Sequence, residues 1–227
     1  MVKKFLFITF IGMSTIATAQ IHEAGIFLGG SNYIGDVGST SYIYPNDFAG
    51  GIIYKYNLNP RVALRGTLTY AQITADDADS KNVGRKLRNL SFTNTVKELA
   101  VGMEFSYFEY GSESRSLQHT PYILVEFAAF NYNIAKTQTA PNEYEYSNKT
   151  SYSIPFGLGY KTKIAESFAV GLEVVARYTF TDEIDYNHEL ISNLKFGNPN
   201  NNDWYVFSGI NLVYTFGRPA CFTTPKN

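Results

Sequence analysis

Apolar and polar residues alternate along much of this chain, most regularly between Ser167 and Phe180. From position 168 to position 180 every even-numbered residue is apolar, whereas the odd-numbered residues are mostly small or polar. Successive side chains of a β-strand point to opposite faces, so this segment predicts a strand with one apolar and one polar face. A strand that crosses a membrane needs roughly 9–11 residues, and this segment is long enough.

The same alternation recurs along the chain and predicts eight strands. They cover residues 22–32, 48–58, 62–73, 95–108, 120–132, 150–162, 167–180 and 203–216. An open sheet in lipid would leave the backbone groups of its edge strands without hydrogen-bond partners. We therefore predict an all-β fold, an eight-stranded antiparallel transmembrane up-and-down β-barrel. Pro155 removes a backbone donor inside the sixth strand and predicts a bulge there.

The predicted connections alternate between short and long. The short ones follow the second, fourth and sixth strands, at Asn59–Arg61, Glu109–His119 and Lys163–Glu166. The connections after the other strands span about 15, 21, 17 and 22 residues. Outer-membrane barrels have short periplasmic turns and longer extracellular loops. The alternation therefore predicts a protein of the bacterial outer membrane with both termini in the periplasm.

The N-terminus has the features of a secretory signal peptide. Lys3 and Lys4 precede the apolar stretch Phe5–Ile16, and Ala17–Ala19 supplies small residues at a cleavage site. We expect residues 1–19 to be the signal peptide, residues 20–216 the barrel and residues 217–227 a short periplasmic tail. The end of the last strand, Ser208–Phe216, resembles the C-terminal sequence by which outer-membrane barrels are recognised for assembly.

Composition supports this interpretation. Aromatic residues make up 16% of the chain, which fits the aromatic girdles found at both membrane interfaces. The formal net charge of −1 argues for neither a nucleic-acid partner nor an acidic ligand. The apolar strand faces indicate outer-membrane lipid as the surroundings. The single cysteine, Cys221, lies in the predicted periplasmic tail, so it is either a free thiol or a candidate for a disulfide with a partner protein.

Eight charged residues fall on the predicted inward faces of the strands. They are Lys55, Arg65, Lys161 and Arg177, together with Glu98, Glu104, Glu126 and Glu173. The interior of an eight-stranded barrel is just wide enough for side chains, and an unpaired buried charge is costly. We expect these charges to pair into a polar plug that holds the barrel in shape. A narrow conduit or a catalytic carboxylate pair is the alternative.

Other candidate chemistry is sparse, and we expect neither a cofactor nor a metal. The three histidines show no metal-ligand spacing, and Asp76–Ser80 departs from the pattern of a calcium loop, which predicts a solvated turn. Some eight-stranded barrels are lipid-modifying hydrolases with a Ser, a His and an acidic residue near the outer rim. His188 with Asp185, Glu189 and Ser192 is the only group here that suggests such an enzyme.

Several stretches together carry a family resemblance. They are His22–Asp36, Tyr56–Arg61, Asp76–Ser80, Arg88–Phe92 and Thr215–Arg218 with Cys221. In these stretches the chain resembles the PorG-like family of outer-membrane barrels of the type IX secretion system. The resemblance implies a secretion-associated barrel that contacts a periplasmic ring of lipoprotein and partner subunits, and it transfers no active site.

The expected function is that of a non-enzymatic outer-membrane component of a protein secretion assembly. The barrel would anchor in lipid, and the periplasmic turns and tail would hold the ring. Two alternatives remain open. One is a stand-alone barrel that stabilises the envelope or binds surfaces through its long loops, and the other is the lipid-modifying enzyme.

Overall fold

The structure is a computed structural model. It describes residues 22–39, 41–110, 118–140, 143–188, 191, 194–196 and 201–217. The expected signal peptide, most of the turn Glu109–His119 and the tail beyond Gly217, with Cys221, lie outside the described residues.

Eight antiparallel strands form a closed barrel in which each strand pairs with its neighbours in sequence and β1 pairs with β8. The strands are β1 (His22–Ile34), β2 (Asp47–Asn57), β3 (Val62–Asp76), β4 (Ser91–Ser106), β5 (His119–Ala140), β6 (Glu143–Lys163), β7 (Phe168–Thr179) and β8 (Trp204–Phe216). The predicted fold class is confirmed. Every residue of β1 has a partner in β8, from His22 with Phe216 to Ile34 with Trp204, so the ring has no open edge at this seam.

The two ends of the barrel differ in the chain segments that lie there. His22 and Phe216 lie side by side at one end, called the terminal end here. The opposite end, called the loop end, carries the connections after β1, β3, β5 and β7. Within the connection after β3, a 3-10 helix (Asp77–Asp79) precedes a short helix α1 (Val83–Arg88). No helix among the described residues has the length and hydropathy to cross a membrane.

The strands turn their apolar side chains outward. In β4, Val101 is 60% exposed, whereas Ala100 and Glu104 on the opposite face are fully buried. The exposed apolar side chains form a continuous band, which includes Ile26, Ile52, Leu68, Leu99, Met103, Val125, Leu158, Leu172 and Ile210. Aromatic residues cluster where the strands end, as His22, Tyr54 and Phe216 do at the terminal end. This is the surface that hydrocarbon contacts in a barrel that spans a membrane.

The connection after β5 differs from the prediction of a 17-residue loop. Strand β5 continues to Ala140 and β6 already begins at Glu143, so both are longer than predicted. The two strands pair with each other along this extension. Register shifts interrupt the pairing between Ala135 and Thr137 and again between Gln138 and Ala140. Residues 132–140 and 143–150 are therefore a two-stranded ribbon, called the β5–β6 ribbon here, that extends beyond the barrel wall.

Asn94 marks the point where the ribbon leaves the wall. The last paired residues of β4 and β5 are Lys97 and Asn131. Just beyond them the side-chain amide of Asn94 replaces backbone pairing. It donates to the Asn133 carbonyl at 2.8 Å and accepts from the Asn133 N–H at 3.0 Å. It also donates to the carbonyl of Ile184 at 2.8 Å, which joins the wall to the last long loop.

The bulge predicted at Pro155 is absent. Val125 pairs with Phe156 and Ala128 pairs with Ser153, so both strands advance by the same number of residues across the proline. On its other side Pro155 lies in regular register with Arg177. The barrel therefore tolerates the missing donor as a local gap in the β5–β6 ladder, and the prediction of a bulge was wrong.

Close approach of two strands at Gly102 gives a first testable prediction. A Cβ at Gly102 would lie 2.1 Å from the carbonyl oxygen of Val125 and 2.4 Å from the Cα of Glu126, and both are backbone atoms that cannot move aside. At Gly66, on the outward face of β3, the nearest atom to a Cβ is 3.9 Å away. We expect Gly102→Ala to lower the free energy of unfolding by about 1–3 kcal/mol, which a lower midpoint in urea unfolding would report. Gly66→Ala is the matched control, and equal tolerance of the two changes would contradict the packing described.

Candidate functional site

Glu104 is the centre of an ion network in the half of the lumen nearer the terminal end. Its two carboxylate oxygens lie 2.6 Å from Lys55 Nζ and 2.6 Å from Lys161 Nζ. The guanidinium of Arg65 lies 3.6 Å away and adds a third positive group. All four side chains are buried. One carboxylate thus holds together residues from β2, β3, β4 and β6.

Arg65 extends this network across the lumen. Its two terminal nitrogens donate to the two carboxylate oxygens of Glu173, at 2.9 and 2.8 Å, so the pair is bidentate. Its Nε lies 3.7 Å from Glu126. Tyr122 and Asn211 donate further hydrogen bonds to Glu173, at 2.7 and 3.0 Å. The Glu173 carboxylate is therefore satisfied by three different strands.

A separate ion pair lies nearer the loop end. Arg177 donates to Glu98 at 3.3 Å, and the hydroxyl of Tyr205 donates to the other oxygen of the same carboxylate at 2.6 Å. The Arg177 guanidinium also lies 3.8 Å from the centre of the Phe207 ring, a cation–π distance. Here the polar part of the lumen meets its aromatic part.

The structure places all eight charged residues named from the sequence inside the lumen, and each takes part in at least one ion pair. The pairs are Lys55–Glu104, Lys161–Glu104, Arg65–Glu104, Arg65–Glu126, Arg65–Glu173 and Arg177–Glu98. Four positive and four negative groups are thus distributed over six strands. Such a network fixes the relative positions of the strands, because moving one of them leaves a buried charge without its partner.

Sequence reasoning missed the neutral partners of this network. Tyr122, Asn211 and Tyr205 bind its carboxylates. Sequence reasoning also missed a further buried acid, Glu23, which accepts a hydrogen bond from Asn57 at 2.8 Å near the terminal end. The alternation of side chains along β5 could have identified Tyr122, because Tyr122 lies four residues before Glu126 and therefore on the same inward face. The inward face of β5 is mixed in polarity, so its aromatic residues resemble outward-facing ones in a hydropathy pattern.

Aromatic and aliphatic side chains fill the lumen toward both of its ends. At the terminal end, Lys161 Nζ lies 4.5 Å from the centre of the Tyr110 ring, and the Tyr110 N–H donates to the carbonyl of Pro60. Toward the loop end, a buried cluster includes Phe27, Ile53, Ile73, Val96, Phe130, Tyr132, Ile184, Tyr205 and Phe207. Along the part of the chain that the structure describes, the barrel interior is thus packed with side chains.

The solvated turn expected at Asp76–Ser80 is wrong for Asp77 and Ser80, which are both buried. Asp77 is fully buried, and its carboxylate binds the guanidinium of Arg88 through both oxygens, at 2.8 and 2.9 Å. The same carboxylate accepts from the backbone N–H groups of Gly38 and Leu90. These bonds hold the pKa of Asp77 below its ordinary value, and they tie the first long loop to the second.

A second acidic cluster lies where the first and last long loops meet. The hydroxyl of Tyr33 donates to Asp185 at 3.0 Å and to Asp203, and the backbone N–H of Ile184 donates to Asp203 at 3.0 Å. Burial raises the pKa of Asp203, and the neighbouring charge of Asp185 raises it further. Burial also raises the pKa of Asp182 to about 7, with the charges of Asp185 and Asp36 adding to the effect.

This cluster predicts that the last long loop is held more firmly in acid. A carboxyl whose pKa is higher in the folded protein than in the unfolded chain stabilises the fold at low pH and loses that contribution as pH rises through the folded value. For Asp182 the loss spans the interval from about 4 to about 7. Above it the negative charge of Asp182 is repelled by Asp185, Asp36 and Glu183. Two cations offset part of this charge, because Lys149 pairs with Glu183 and the charge of Arg88 couples to Asp185.

We expect amide hydrogen exchange in residues 180–188 and 201–203, corrected for the intrinsic rate, to be slower at pH 5 than at pH 8. Asp182→Asn removes one titrating group and should reduce this difference, whereas Asp79→Asn, an acid at the far end of the 3-10 helix, is the matched control. Protection that stays constant or rises with pH would contradict this account of the cluster.

The structure gives little support for a metal site or for the enzyme alternative. Among the described residues no group of three or more His, Cys, Asp or Glu is arranged to hold a metal ion. The two oxygens of Asp185 accept hydrogen bonds from the Tyr33 hydroxyl and the Asn187 N–H, so the carboxylate has a structural role in the loop. Glu189 and Ser192, which were grouped with His188 in the enzyme alternative, lie outside the described residues.

Solved structures share this fold at low sequence identity. A major outer membrane protein from Thermus thermophilus is 12% identical, with a TM-score of 0.50 over 87% of this chain and 100% of that chain. Neisserial surface protein A is 10% identical, with a TM-score of 0.46 over 87% and 97% of the two chains. Ail, the attachment invasion locus protein of Yersinia pestis, is 9% identical, with a TM-score of 0.43 over 87% and 99%.

At 12% identity, the likeness to the Thermus thermophilus protein shows the fold and nothing of the function. No match was found among curated proteins. The sequence itself gives a stronger result, because the family described as "Domain of unknown function (DUF6089)" matches residues 2–225, which is nearly the whole chain. The chain therefore belongs to the DUF6089 family, whose member here folds as an eight-stranded up-and-down barrel.

Proposed function

We propose that this protein is a non-enzymatic barrel of the bacterial outer membrane that anchors a periplasmic secretion assembly. The observation that carries the proposal is the contrast between its two surfaces. The outside is a continuous apolar band, whereas the lumen holds a paired ion network between layers of aromatic and aliphatic side chains. Such a barrel is suited to sit in lipid and to be held by other proteins, and it offers no wide path for solutes.

The proposed location in a membrane follows from the medium that the outer surface of the barrel requires. Large apolar side chains such as Leu158 and Leu172 are more than half exposed on the barrel wall, which in water would be an aggregation-prone surface. A closed barrel with an apolar band satisfies its own backbone and needs hydrocarbon outside. Because the strand number is even, both termini lie at one end, and we place that end in the periplasm since its turns Leu58–Arg61 and Ile164–Ser167 are short.

The identity of the assembly is proposed from the resemblance to the PorG-like barrels of the type IX secretion system. The resembling stretches include Tyr56–Arg61 at the terminal end and Thr215–Arg218, which leads into the tail. The proposed docking surface comprises the terminal-end turns and the tail, and its partners are the lipoprotein and partner subunits of a periplasmic ring. Cys221, in that tail, is the candidate for a disulfide with one of them.

Affinity capture from mildly solubilised membranes tests the docking proposal. We expect the full chain to co-purify with stoichiometric periplasmic subunits, and a chain truncated after Gly217 to insert normally but lose them. Cys221→Ser, compared with the full chain with and without reductant, separates a disulfide from non-covalent docking. Ring subunits that still co-purify with the truncated chain would refute docking through the tail, and a full chain captured alone would refute the secretion role.

A stand-alone barrel that binds surfaces is the second candidate, and the β5–β6 ribbon favours it. The ribbon presents exposed side chains on both faces, including Lys136, Gln138 and Glu145, well away from the terminal end. Deleting residues 136–146 should leave ring capture intact under the docking proposal. Loss of surface attachment by that deletion, with no ring subunits captured by the full chain, would support the second candidate instead.

A further inference from the structure

A cavity of about 450 Å³ lies at the loop end, between the start of β4, the β5–β6 ribbon and the last long loop. We call it the aromatic pocket. Its walls are formed mainly by rings and aliphatic side chains, of which Phe92, Tyr144, Tyr146, Tyr186, Leu194 and Phe196 matter here. The volume is sufficient for a small organic group. Neither the lumen network nor the proposed docking surface uses this cavity.

The rings form a concave corner. Tyr186 and Tyr146 have their centroids 5.1 Å apart with planes inclined at 57°, and Tyr186 and Phe92 are 6.2 Å apart with planes inclined at 82°. Rings inclined at such angles do not stack on one another, and all three line the same cavity. Negative potential concentrates over aromatic faces, so this corner suits a positively charged group.

Tyr186 is held in place at a conformational cost. Its φ of 67° puts a bulky non-glycine residue in the left-handed region, which few such residues adopt. Its hydroxyl donates to the carbonyl of Thr93 at 2.9 Å, and this bond fixes the ring against the start of β4. A strained backbone that positions an aromatic face is a recurrent feature of ligand-binding sites.

The pocket has a carboxylate at its base. Asp185 lines the cavity and is only 2% exposed, and it is linked through the Tyr33 hydroxyl to Asp203. Asp36 and Asp182 are close enough to Asp185 for their charges to interact with it. Arg88, which lies over the Phe196 ring at 5.4 Å, is already engaged by Asp77. The immediate surroundings therefore carry an excess of acidic groups.

Several polar groups of the walls are already used. The carbonyl of Thr93 accepts from Tyr186, the hydroxyl of Thr93 is bonded to that of Thr74 at 3.0 Å, and Asp185 accepts from Tyr33 and Asn187. A sugar would need several such groups for its hydroxyls. A group that needs only aromatic faces and a long-range negative field is the better fit.

We propose that the aromatic pocket binds an alkylated ammonium group, with Tyr146, Tyr186 and Phe92 around the cation and Asp185 at the base. A free small molecule and an alkylated lysine of a polypeptide both supply this chemistry. Binding takes place at the loop end of the barrel and is independent of the docking surface at the terminal end.

The test uses the full-length folded barrel in a neutral polyoxyethylene detergent, which carries neither ammonium nor sugar. Titration calorimetry compares choline with its uncharged isostere 3,3-dimethylbutanol and with methyl glucoside, and a short peptide containing trimethyl-lysine forms a further arm. We expect choline to bind at least about tenfold more tightly than the isostere, and methyl glucoside not to bind. Tighter binding of the peptide than of choline would identify a polypeptide as the source of the same group.

Two variants test the residues. Tyr146→Ala should weaken choline binding about three- to tenfold, and because Tyr146 is 54% exposed its loss is not expected to impair folding. In Asp185→Asn the amide oxygen can still accept from the Asn187 N–H, and the amide nitrogen can donate to the Tyr33 hydroxyl, which itself donates to Asp203. The change removes the charge with little change in shape, and it should weaken binding to a similar degree. Tyr42→Ala, an exposed tyrosine of the first loop outside the pocket, is the matched control and should have no effect.

Three results would overturn the proposal. They are equal affinity for choline and its uncharged isostere, unchanged affinity in both pocket variants, and an absence of measurable choline binding by the folded wild-type protein.

Discussion

Replacing Arg65 by Met is expected to lower the free energy of unfolding by about 3–5 kcal/mol, because it leaves buried carboxylates without their cation. Arg65 makes the bidentate pair with Glu173 and also lies beside Glu104 and Glu126. Methionine fills much of the same space, so the loss isolates the charge. Urea titration of the barrel in lipid vesicles, followed by the fluorescence of the single tryptophan, Trp204, gives the measurement.

Arg61→Met is the matched control for this prediction. Arg61 pairs with Glu109 at 3.5 Å, but both side chains are about half exposed, and such surface pairs contribute at most about 1 kcal/mol. The double variant Arg65→Met/Glu173→Gln should recover part of the stability, because it removes one of the buried carboxylates that Arg65→Met leaves without a cation. Similar costs for Arg65→Met and Arg61→Met would show that the lumen charges are solvated and do not depend on one another.

Replacing Val101 by Arg should cost about 2–4 kcal/mol if hydrocarbon surrounds the barrel. Val101 lies in the middle of β4, and its 60% exposure describes a surface that lipid would cover. Val83 is a suitable comparison, because it is the same residue type, is also exposed and lies in helix α1 of the second long loop. Val83→Arg should change the stability little, since its side chain faces water.

The difference between the two valine variants is measured by folding into vesicles over a range of urea concentrations. Because both positions are exposed in the isolated protein, burial within the protein predicts no difference between them. A large difference therefore reports the medium outside the barrel. If Val101→Arg is tolerated as well as Val83→Arg in lipid, then the band on β4 does not face hydrocarbon.

The sequence predicted the barrel wall well because each strand there has two different environments. Arg65, Glu104 and Lys161 share one face of their strands with small or polar residues, while Leu64, Val101 and Leu158 share the other. A period of two in polarity is enough to assign the facing of such residues. It says nothing of which charges meet, because the pairing of Arg65 with Glu173 joins residues 108 positions apart.

The loops show what the alternation cannot encode. Asp77 is buried by Arg88, Gly38 and Leu90, and no local pattern around Asp77 distinguishes it from its solvated neighbour Asp79. The β5–β6 ribbon was predicted as a loop because residues such as Thr137, Gln138 and Glu145 are polar on both faces. Water on both sides of a ribbon removes the contrast in polarity that reveals a strand.

The β5–β6 ribbon has a practical consequence for determining sidedness. Its nine residues from Tyr132 to Ala140 reach roughly 30 Å past the last ladder pair with β4, and they project from the end opposite to His22 and Phe216. An epitope tag inserted between Ala140 and Glu143 would be presented to an antibody at a distance from the bilayer, while a second tag after Asn227 would remain on the other side. A single molecule thus carries markers for two compartments, and labelling intact cells before and after permeabilisation would tell which compartment each one faces.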